Sequence, residues 1–342
     1  MRNPGRNPYL PVLNEKLNLN VMKNCSFARN PMRQLPDGSV SRVFPLHVSL
    51  EGKETKVLCR DRNDYDTFVK VIVVSARRRN VILIVYSVVS NHGHSIVLAA
   101  GKRDADRFGE EVKKMYSMYF KRKYGDTGVM RGVDVNSQWL DSDWYLRNAI
   151  AYDIRNALDN GACSIQDYEW SSYKAYFADR RLMVSASARR VSSLSKSEKR
   201  AIMHTNDDIS GVDWLIGPGD ELIPGSVCDY KYVEDAFENN PTLLIQKIGN
   251  VNVAEMSEKM LDSPRTFKKD EDVVRSASDT CRRWFDCTIY DLPFDKKCRL
   301  LSYYYRSNRT NVSQLARVFE LTKETVSDIL KKNGLWQSSI SG

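Results

Sequence analysis

The sequence predicts an α+β protein, in which helices pack on a small antiparallel sheet and a helical region follows at the C-terminal end. Three observations support this prediction. Between residues 44 and 161, short β-branched runs alternate with amphipathic segments. The strand-like runs come in adjacent pairs, which favours antiparallel pairing. Beyond residue 263, only helix-like patterns remain.

The predicted elements follow the order β-β-α-β-β-α-loop-α. The strands are runs rich in β-branched residues: 44–50, 55–59, 81–89 and 94–100. The helices have apolar residues at helical spacing: 64–79, 104–125 and 142–161. Asp64 and Ser142 are the candidate N-caps, and Gly125 and Asn160-Gly161 are the stop signals.

Changes in composition divide the chain into four regions. Residues 1–38 form a basic N-terminal arm that ends in a Pro36-Asp37-Gly38 turn. Residues 39–180 carry the α+β pattern. Residues 181–262 are polar and turn-rich, which is typical of an extension or connector, and their role stays open. Residues 263–342 form a separate helical region.

The charge balance favours a polyanionic partner. Lys and Arg total 52 against 43 Asp and Glu, which gives a net charge of +9 over 342 residues. Much of the excess occurs in short basic clusters such as Arg77-Arg78-Arg79. A basic protein with clustered charge is a candidate for binding nucleic acid, although each cluster alone is also typical of a solvated surface.

The apolar and cysteine patterns predict a cytoplasmic protein. No apolar run approaches the roughly 20 residues that a membrane-spanning helix needs, so no membrane partner is expected. The first residues lack the apolar core of a secretory signal. The seven cysteines are irregularly spaced with no C-x-x-C pair, which argues against a disulfide framework and against a zinc ribbon.

Two of the four histidines, His92 and His94, lie two residues apart inside a strand-like run. On a strand, residues i and i+2 point to the same face, about 6.6 Å apart, so the two imidazoles could converge on one metal ion. The alternative is that both are ordinary polar positions on a half-exposed strand. Spacing alone does not decide between them.

The residues around the pair resemble a known family. The stretch VILIVYSVVSNHGHSIVLA (81–99) resembles the core of the HUH single-strand endonucleases, specifically the single-tyrosine transposases. The stretch YLRNAIAYDIRNALDNGACSIQDYEWSSYKAY (145–176) resembles the segment that follows in REP-associated tyrosine transposases. HVS (47–49) is similar to that family's opening strand. The likeness runs in order over about 45–177 and continues weakly through 210–240.

The resemblance implies a catalytic role for Tyr152 and a metal-binding role for Asn156. It implies that Tyr152 is the nucleophile and that Asn156 is the third metal ligand beside His92 and His94. Tyr152 and Asn156 are i and i+4 on the predicted helix and therefore share a face. Two imidazoles and an amide oxygen suit Mg²⁺ or Mn²⁺.

The sequence departs from the family at two positions. Gly93 stands where the family has a bulky hydrophobic residue, and a glycine can weaken a strand or mark a close backbone approach. Ala157 follows Asn156 where the family has proline, which matters less because alanine continues a helix more easily.

Other tyrosines compete for the role of nucleophile. Tyr145 lies seven residues earlier on the same predicted helix, and Tyr116 and Tyr119 lie on the preceding one. Only Tyr152 has the matching Asn four residues later. Trp170, followed by Ser171, is typical of a packing anchor and a helix cap.

Several polar and basic side chains are candidate DNA contacts. Those near the candidate site in sequence are Lys121, Arg122, Lys123 and Arg131. Phosphate contacts of this kind give affinity that falls with salt. Residues 311–334 match a helix-turn-helix pattern, with Glu320 where glycine is common in the turn. The residues of its second helix expected to reach DNA are Lys323, Glu324, Thr325 and Ser327. An ordinary helical hairpin is the alternative.

These features together predict a metal-dependent, single-tyrosine DNA strand transferase. It would nick and rejoin single-stranded DNA at hairpin-bearing elements through a 5′-phosphotyrosine intermediate. Two alternatives stay open: a domesticated, non-catalytic DNA-hairpin-binding protein, for which Gly93 is the sequence support, and an RNA-hairpin binder. The sequence is equally compatible with a homodimer and with a monomer.

Overall fold

The computed structural model of the protein describes residues 32–52, 57–126, 128–159, 162, 164–178, 187–250, 270–307, 310, 312–333 and 335. Eleven α-helices and eight strands lie within these residues. Helices surround a four-stranded antiparallel sheet, so the predicted α+β class is confirmed. Of the predicted basic arm, residues 1–31 lie outside the described part.

The eight strands, in chain order, are β1 Met32–Gln34, β2 Val40–Arg42, β3 Phe44–Gly52, β4 Ile82–Val89, β5 His92–Ala99, β6 Val133–Trp139, β7 Arg189–Arg190 and β8 Leu215–Ile216. The central sheet has the order β4-β5-β3-β6 and is antiparallel throughout. β1 and β2 form a hairpin around the predicted Pro-Asp-Gly turn, where Gly38 takes a φ of +87°. A glycine adopts this left-handed conformation without steric cost.

The helices, in chain order, are α1 Arg62–Arg78, α2 Lys102–Tyr124, α3 Asp143–Asp159, α4 Lys196–Met203, α5 Pro224–Val227, α6 Tyr230–Ala236, α7 Pro241–Asn250, α8 Asp270–Phe285, α9 Phe294–Ser307, α10 Val312–Phe319 and α11 Lys323–Lys332. α1 begins at an Asp61 cap, three residues before the predicted cap Asp64, whose side chain instead completes the capping box. α2 ends at Gly125 in the left-handed conformation, as predicted.

The sheet differs from the prediction in two strands: the strand predicted over 55–59 is not found among its described residues, and β6 was not predicted. No strand forms over 57–59; the N–H groups of Leu58 and Cys59 instead donate to the carbonyl of Ser90, at 2.7 and 2.9 Å, and residues 55 and 56 lie outside the described part. The fourth strand is β6, which the sequence pattern missed. It is an edge strand with polar residues on one side, so it lacks the apolar run typical of a central strand.

Helices cover the sheet on both faces. α1 and α2 pack on one face, where Leu46, Val48 and Leu50 of β3 meet a core that includes Phe68 and Phe108. α3 packs on the other face, in a second core whose members include Ile96, Leu98, Leu146, Ile150 and Ile154. The alternation of side chains along each strand sends neighbouring residues to opposite helical layers.

The polar region between the first domain and the tail is packed against the sheet domain. From its described part, 187–250, Val191, Met203 and Ile216 are buried in the α1/α2 core. Val233 and Phe237 are buried in the α3 core. This segment therefore adds to both cores.

The C-terminal helices α8 to α11 enclose a third core. Its fully buried members include Leu300, Leu315 and Val326, and it also takes in Val57 from the segment before α1. The tail is joined to the turn between β4 and β5 by Asp270, whose carboxylate accepts a hydrogen bond of 2.6 Å from the Ser90 hydroxyl.

Candidate metal and nucleophile site

The strand register places three histidines on the α3 side of the sheet. Ser49 of β3 pairs with His94 of β5, and His47 lies two residues from Ser49 on the same face. His92 and His94 share this face, as the sequence predicts, with ring centroids 4.9 Å apart in an edge-to-face arrangement. His94 is buried, whereas His92, at the start of β5, is half-buried.

α3 brings three polar side chains to these histidines. The helix begins at Ser142, whose hydroxyl accepts from the Tyr145 N–H as predicted. Two turns later, the Tyr152 ring stands edge-on to His94 with centroids 5.6 Å apart. The Asn156 amide Nδ2 lies 2.8 Å from His92 Nε2. The structure therefore brings together the four residues that the motifs single out.

Two amides hold the ring of His92. Its Nδ1 lies 3.0 Å from the side-chain oxygen of Asn91, and its Nε2 faces the Asn156 amide. With Asn156 donating to Nε2, the ring proton sits on Nδ1 and is donated to Asn91. This pattern sets both the orientation and the tautomer of the imidazole.

The sequence analysis missed two members of the site, His47 and Asp153. The Asp153 carboxylate oxygen Oδ1 lies 2.9 Å from His47 Nε2 and 3.9 Å from His94 Nδ1. The His47 and His94 rings stack with centroids 5.2 Å apart and planes 19° apart. One signal was present in the sequence: a carboxylate directly after the candidate nucleophile on the predicted helix.

Asp153 and burial act in opposite directions on the two neighbouring histidines. Burial disfavours a charged His47, but the attraction and hydrogen bond from Asp153 outweigh it and raise its pKa above the usual value. Burial, together with repulsion from His92 and His47, outweighs the attraction of Asp153 and holds the pKa of His94 well below the usual value. His94 therefore stays neutral, as a metal ligand must.

Some polar atoms of this group have no hydrogen-bond partner among the described residues. They are both ring nitrogens of His94 and the Oδ2 oxygen of Asp153. Buried polar atoms without a partner are costly, and at functional sites they point to an ion or ligand. The ligand atoms of His47, His94 and Asp153 all lie within 4.8 Å of one another, so this buried group could hold a metal ion.

Gly93 has a packing role. It points to the α1 side of β5, where an added Cβ would lie 3.2 Å from Cζ of Phe68. The absent side chain lets the Phe68 ring approach the strand. The ring thus occupies the space that a bulky residue at position 93 would need, and the strand is regular on the histidine side.

The competing tyrosines have their hydroxyl groups engaged elsewhere. Tyr145 donates to Gln138 at 2.8 Å. On α2, across the sheet, Tyr116 donates to the Leu58 carbonyl and Tyr119 to Asp64, each at 2.7 Å. Among the ring contacts of the described residues, that of Tyr152 is the one that joins a tyrosine to His94.

The basic cluster at the end of α2 lies apart from the site in the fold. Lys121, Arg122 and Lys123 form the last turn of α2, which packs on the face of the sheet opposite α3. Lys123 is paired with Asp61 and Asp64, each at 2.7 Å. Arg131 is exposed in the loop before β6.

The helix pair of the tail carries the predicted DNA-facing residues on α11. Val326, Ile329 and Leu330 face the core, while Lys323 is exposed and Thr325 and Ser327 are partly exposed. Glu320, in the turn between α10 and α11, has a φ of +54°, the left-handed conformation that favours glycine at this position.

Trp170 is a packing residue, as the sequence analysis favours. Its ring stacks on Tyr65 with centroids 4.2 Å apart, and its indole N–H donates to Asp66. The Ser171 hydroxyl accepts from the Tyr173 N–H and caps the short 3₁₀ turn that follows.

The chain matches no protein-family model, no curated protein and no solved structure. The family resemblance therefore rests on the motifs themselves. Over the part of the chain that the structure describes, no helix combines the length and the apolar character needed to cross a membrane.

Proposed function

We propose that this protein is a metal-dependent endonuclease and strand transferase of single-stranded DNA, of the transposase type, acting at hairpin-bearing elements. One observation carries the proposal. Tyr152 and Asn156, chosen by motif on one helix, meet His94 and His92, chosen by motif on a strand about 60 residues earlier. The side chains selected by these two separate motifs therefore contact one another.

Tyr152 is the nucleophile in this proposal. Its hydroxyl oxygen bonds to the phosphorus of a DNA phosphate and gives up its proton, and the bond from phosphorus to the 3′ oxygen breaks. The 3′ oxygen takes up a proton and leaves as a free hydroxyl, while the 5′ side stays on Tyr152 as a phosphotyrosine. That link keeps the bond energy available for rejoining, so no nucleotide cofactor is needed.

The site fits a divalent metal ion through the unpartnered, neutral and buried imidazole of His94. When bound, such an ion polarises the scissile phosphate and offsets the charge that develops during attack. The family resemblance names His92 and Asn156 as the other ligands and Mg²⁺ or Mn²⁺ as the ion. In the structure His92 Nε2 lies against the Asn156 amide, so an ion shared by these two residues would replace that contact.

DNA recognition is assigned to exposed basic residues and to helix α11 of the tail. The net charge of +9 favours a polyanion, and phosphate contacts from Arg131, Lys121 and Arg122 would weaken with salt. Lys323, Thr325 and Ser327 on α11 would approach base edges near the hairpin. A homodimer and a monomer are both compatible with this proposal.

Covalent capture tests the proposal. The protein is incubated with Mn²⁺ and labelled single-stranded hairpins taken from the DNA that flanks its own gene, and the products are separated on a denaturing gel. We expect a covalent protein–DNA band that Tyr152→Phe abolishes while hairpin binding stays nearly intact. Tyr145→Phe, on the same helix, is the matched control and should keep the band.

Two outcomes would overturn parts of the proposal. Cleavage by the Tyr152→Phe variant would show that another residue is the nucleophile. Hairpin binding without any covalent product would favour a non-catalytic DNA binder, although Gly93, the sequence support for that alternative, is accounted for by the contact with Phe68. Competition between DNA and RNA versions of one hairpin would distinguish a DNA binder from an RNA binder, because an RNA binder would prefer the RNA version.

A further inference from the structure

Three buried side chains from three separate elements meet beside the candidate nucleophile. His47 comes from β3, His94 from β5 and Asp153 from α3, with exposed fractions of 4%, 1% and 0%. A carboxylate at such a depth is costly unless a cation or several hydrogen bonds compensate it. Here the compensation in the protein is partial, because Oδ1 of Asp153 contacts His47 while Oδ2 has no partner among the described residues.

The distances within this group fit a common ion. Two metal–ligand bonds of about 2.1 Å place their ligand atoms about 3.0 Å apart when the bonds are perpendicular and about 4.2 Å apart when they are opposite. Oδ1 of Asp153 lies 2.9 Å from His47 Nε2 and 3.9 Å from His94 Nδ1. The second distance is too long for a hydrogen bond, but it is a normal separation for two ligands of one ion.

Within the described part of the chain, unpartnered polar atoms lie on His94 and Asp153. Both nitrogens of His94 lack a hydrogen-bond partner among the described residues, as does Asp153 Oδ2. His92, by contrast, contacts Asn91 through one ring nitrogen and Asn156 through the other. An ion bound by one ring nitrogen of His94 and by Asp153 would give each of these residues a partner and leave the contacts of His92 intact.

We propose that His47, His94 and Asp153 are the protein ligands of a divalent transition-metal ion, with His47 instead of His92 as the second imidazole. Two imidazoles and one carboxylate with open positions form a donor set that binds Zn²⁺, Fe²⁺ or Mn²⁺. Mg²⁺ prefers an all-oxygen set with several waters. The site therefore binds Mn²⁺ and Zn²⁺ more tightly than Mg²⁺.

Metal binding to the purified full chain, without DNA, tests this assignment. Isothermal titration with Mn²⁺ measures affinity, and the visible absorption of added Co²⁺ reports the ligand geometry. We expect one tight site in the wild type. Loss of an outer partner of a metal ligand typically weakens binding about ten- to a hundredfold, so Asp153→Asn and His47→Gln, as direct ligands, should each cost about a hundredfold or more.

Substitutions on the other side of His94 are the matched controls. His92→Gln and Asn156→Ala should each leave the Mn²⁺ affinity within about threefold of the wild type. Circular dichroism of every variant checks the fold. If Asp153→Asn does not fold, His47→Gln gives the same comparison, and Asp153→Glu should restore binding because it keeps the carboxylate.

Two results would overturn the assignment. One is Mn²⁺ affinity that survives both Asp153→Asn and His47→Gln but is lost in His92→Gln, which would place the ion between His92, His94 and Asn156. The other is a wild-type protein that binds neither Mn²⁺ nor Co²⁺. Because no DNA is present, either result is independent of whether Tyr152 forms a covalent link.

Discussion

The two faces of the central sheet differ in chemistry although the same strands form both. Along β5, Gly93 and Val97 face the apolar layer of α1 and α2, while His92 and His94 face α3. On the α3 side, the apolar core around Ile96 and Leu98 gives way to a polar group at the start of the strand. One face thus serves mainly for apolar packing, and the other is divided between packing and chemistry.

We infer from this difference that the α1/α2 layer mainly stabilises the fold, whereas the α3 layer carries the reactive groups. Full burial of a large apolar side chain contributes about 1.5–3 kcal/mol, while buried polar groups cost free energy unless they are bonded. The α1/α2 face has many of the former, including the fully buried Phe68, Ile72 and Phe108. It can therefore offset a cluster of buried histidines and a carboxylate on the opposite face.

The largest expected effect comes from Phe68, on the apolar face. Its ring is fully buried and stacks on Tyr116 with centroids 4.3 Å apart. Phe68→Ala should lower the free energy of unfolding by about 3–5 kcal/mol, as measured by urea denaturation. Ile154→Val, in the core under α3, should cost about 0.5–1.5 kcal/mol. A loss below about 1 kcal/mol for Phe68→Ala would contradict the assignment of stability to this face.

The next effect concerns Asp270, which ties the tail to the turn before His92. Its buried carboxylate accepts from Ser90 at 2.6 Å, Gln314 at 2.9 Å and Arg317 at 2.8 Å. Burial would raise its pKa, but Arg317 and these hydrogen bonds lower it below the usual value. Removing one partner of a buried ion pair leaves the other charge unpaired, so Asp270→Asn should cost about 3 kcal/mol in thermal or urea unfolding.

Asp272 is the control for this change. It lies on the same helix with about half of its side chain exposed, 52%. Asp272→Asn should stay within about 0.5 kcal/mol of the wild type. If Asp270→Asn were equally mild, the tail would not depend on this contact for its attachment to the β4–β5 turn.

A smaller effect is expected at Gly93, which faces Phe68 on the apolar side while its neighbours His92 and His94 face α3. Gly93→Val should cost about 1–3 kcal/mol because the new side chain meets the Phe68 ring. In the double variant with Phe68→Ala, the ring is gone and the cost of the valine should largely disappear. A double-mutant cycle measures this coupling, and strictly additive losses would show that the two positions are independent.

The last effect, which is confined to acidic pH, is a pH dependence on the apolar side, at His204. Burial, with the positive charges of Lys70 and Arg122, lowers its pKa from 6.5 to about 4. As pH falls from 6.5 towards 4, the unfolded chain takes up a proton that the folded protein does not, so stability decreases. Denaturation between pH 7 and 4 should show a shallower decline for His204→Gln. An unchanged slope would contradict the assignment to His204.

Local pattern determined much of this protein. Periods of two and 3.6 residues predict the α+β class. Local signals also predict the Ser142 cap of α3 and the end of α2 at Gly125, because these features depend on near neighbours in the chain. The same local spacing predicts that His92 and His94 share a strand face and that Tyr152 and Asn156 share a helix face. The structure brings these two faces together.

Long-range pairing decided the rest. The position of β6, the contact of Gly93 with Phe68 and the meeting of His47 with Asp153 all depend on strand register and helix docking between residues far apart in sequence. Local spacing carries no information about register, because one strand can pair at several offsets until its apolar face is buried against particular helices. His47 and Asp153, which are 106 residues apart, become a site only when that choice is made.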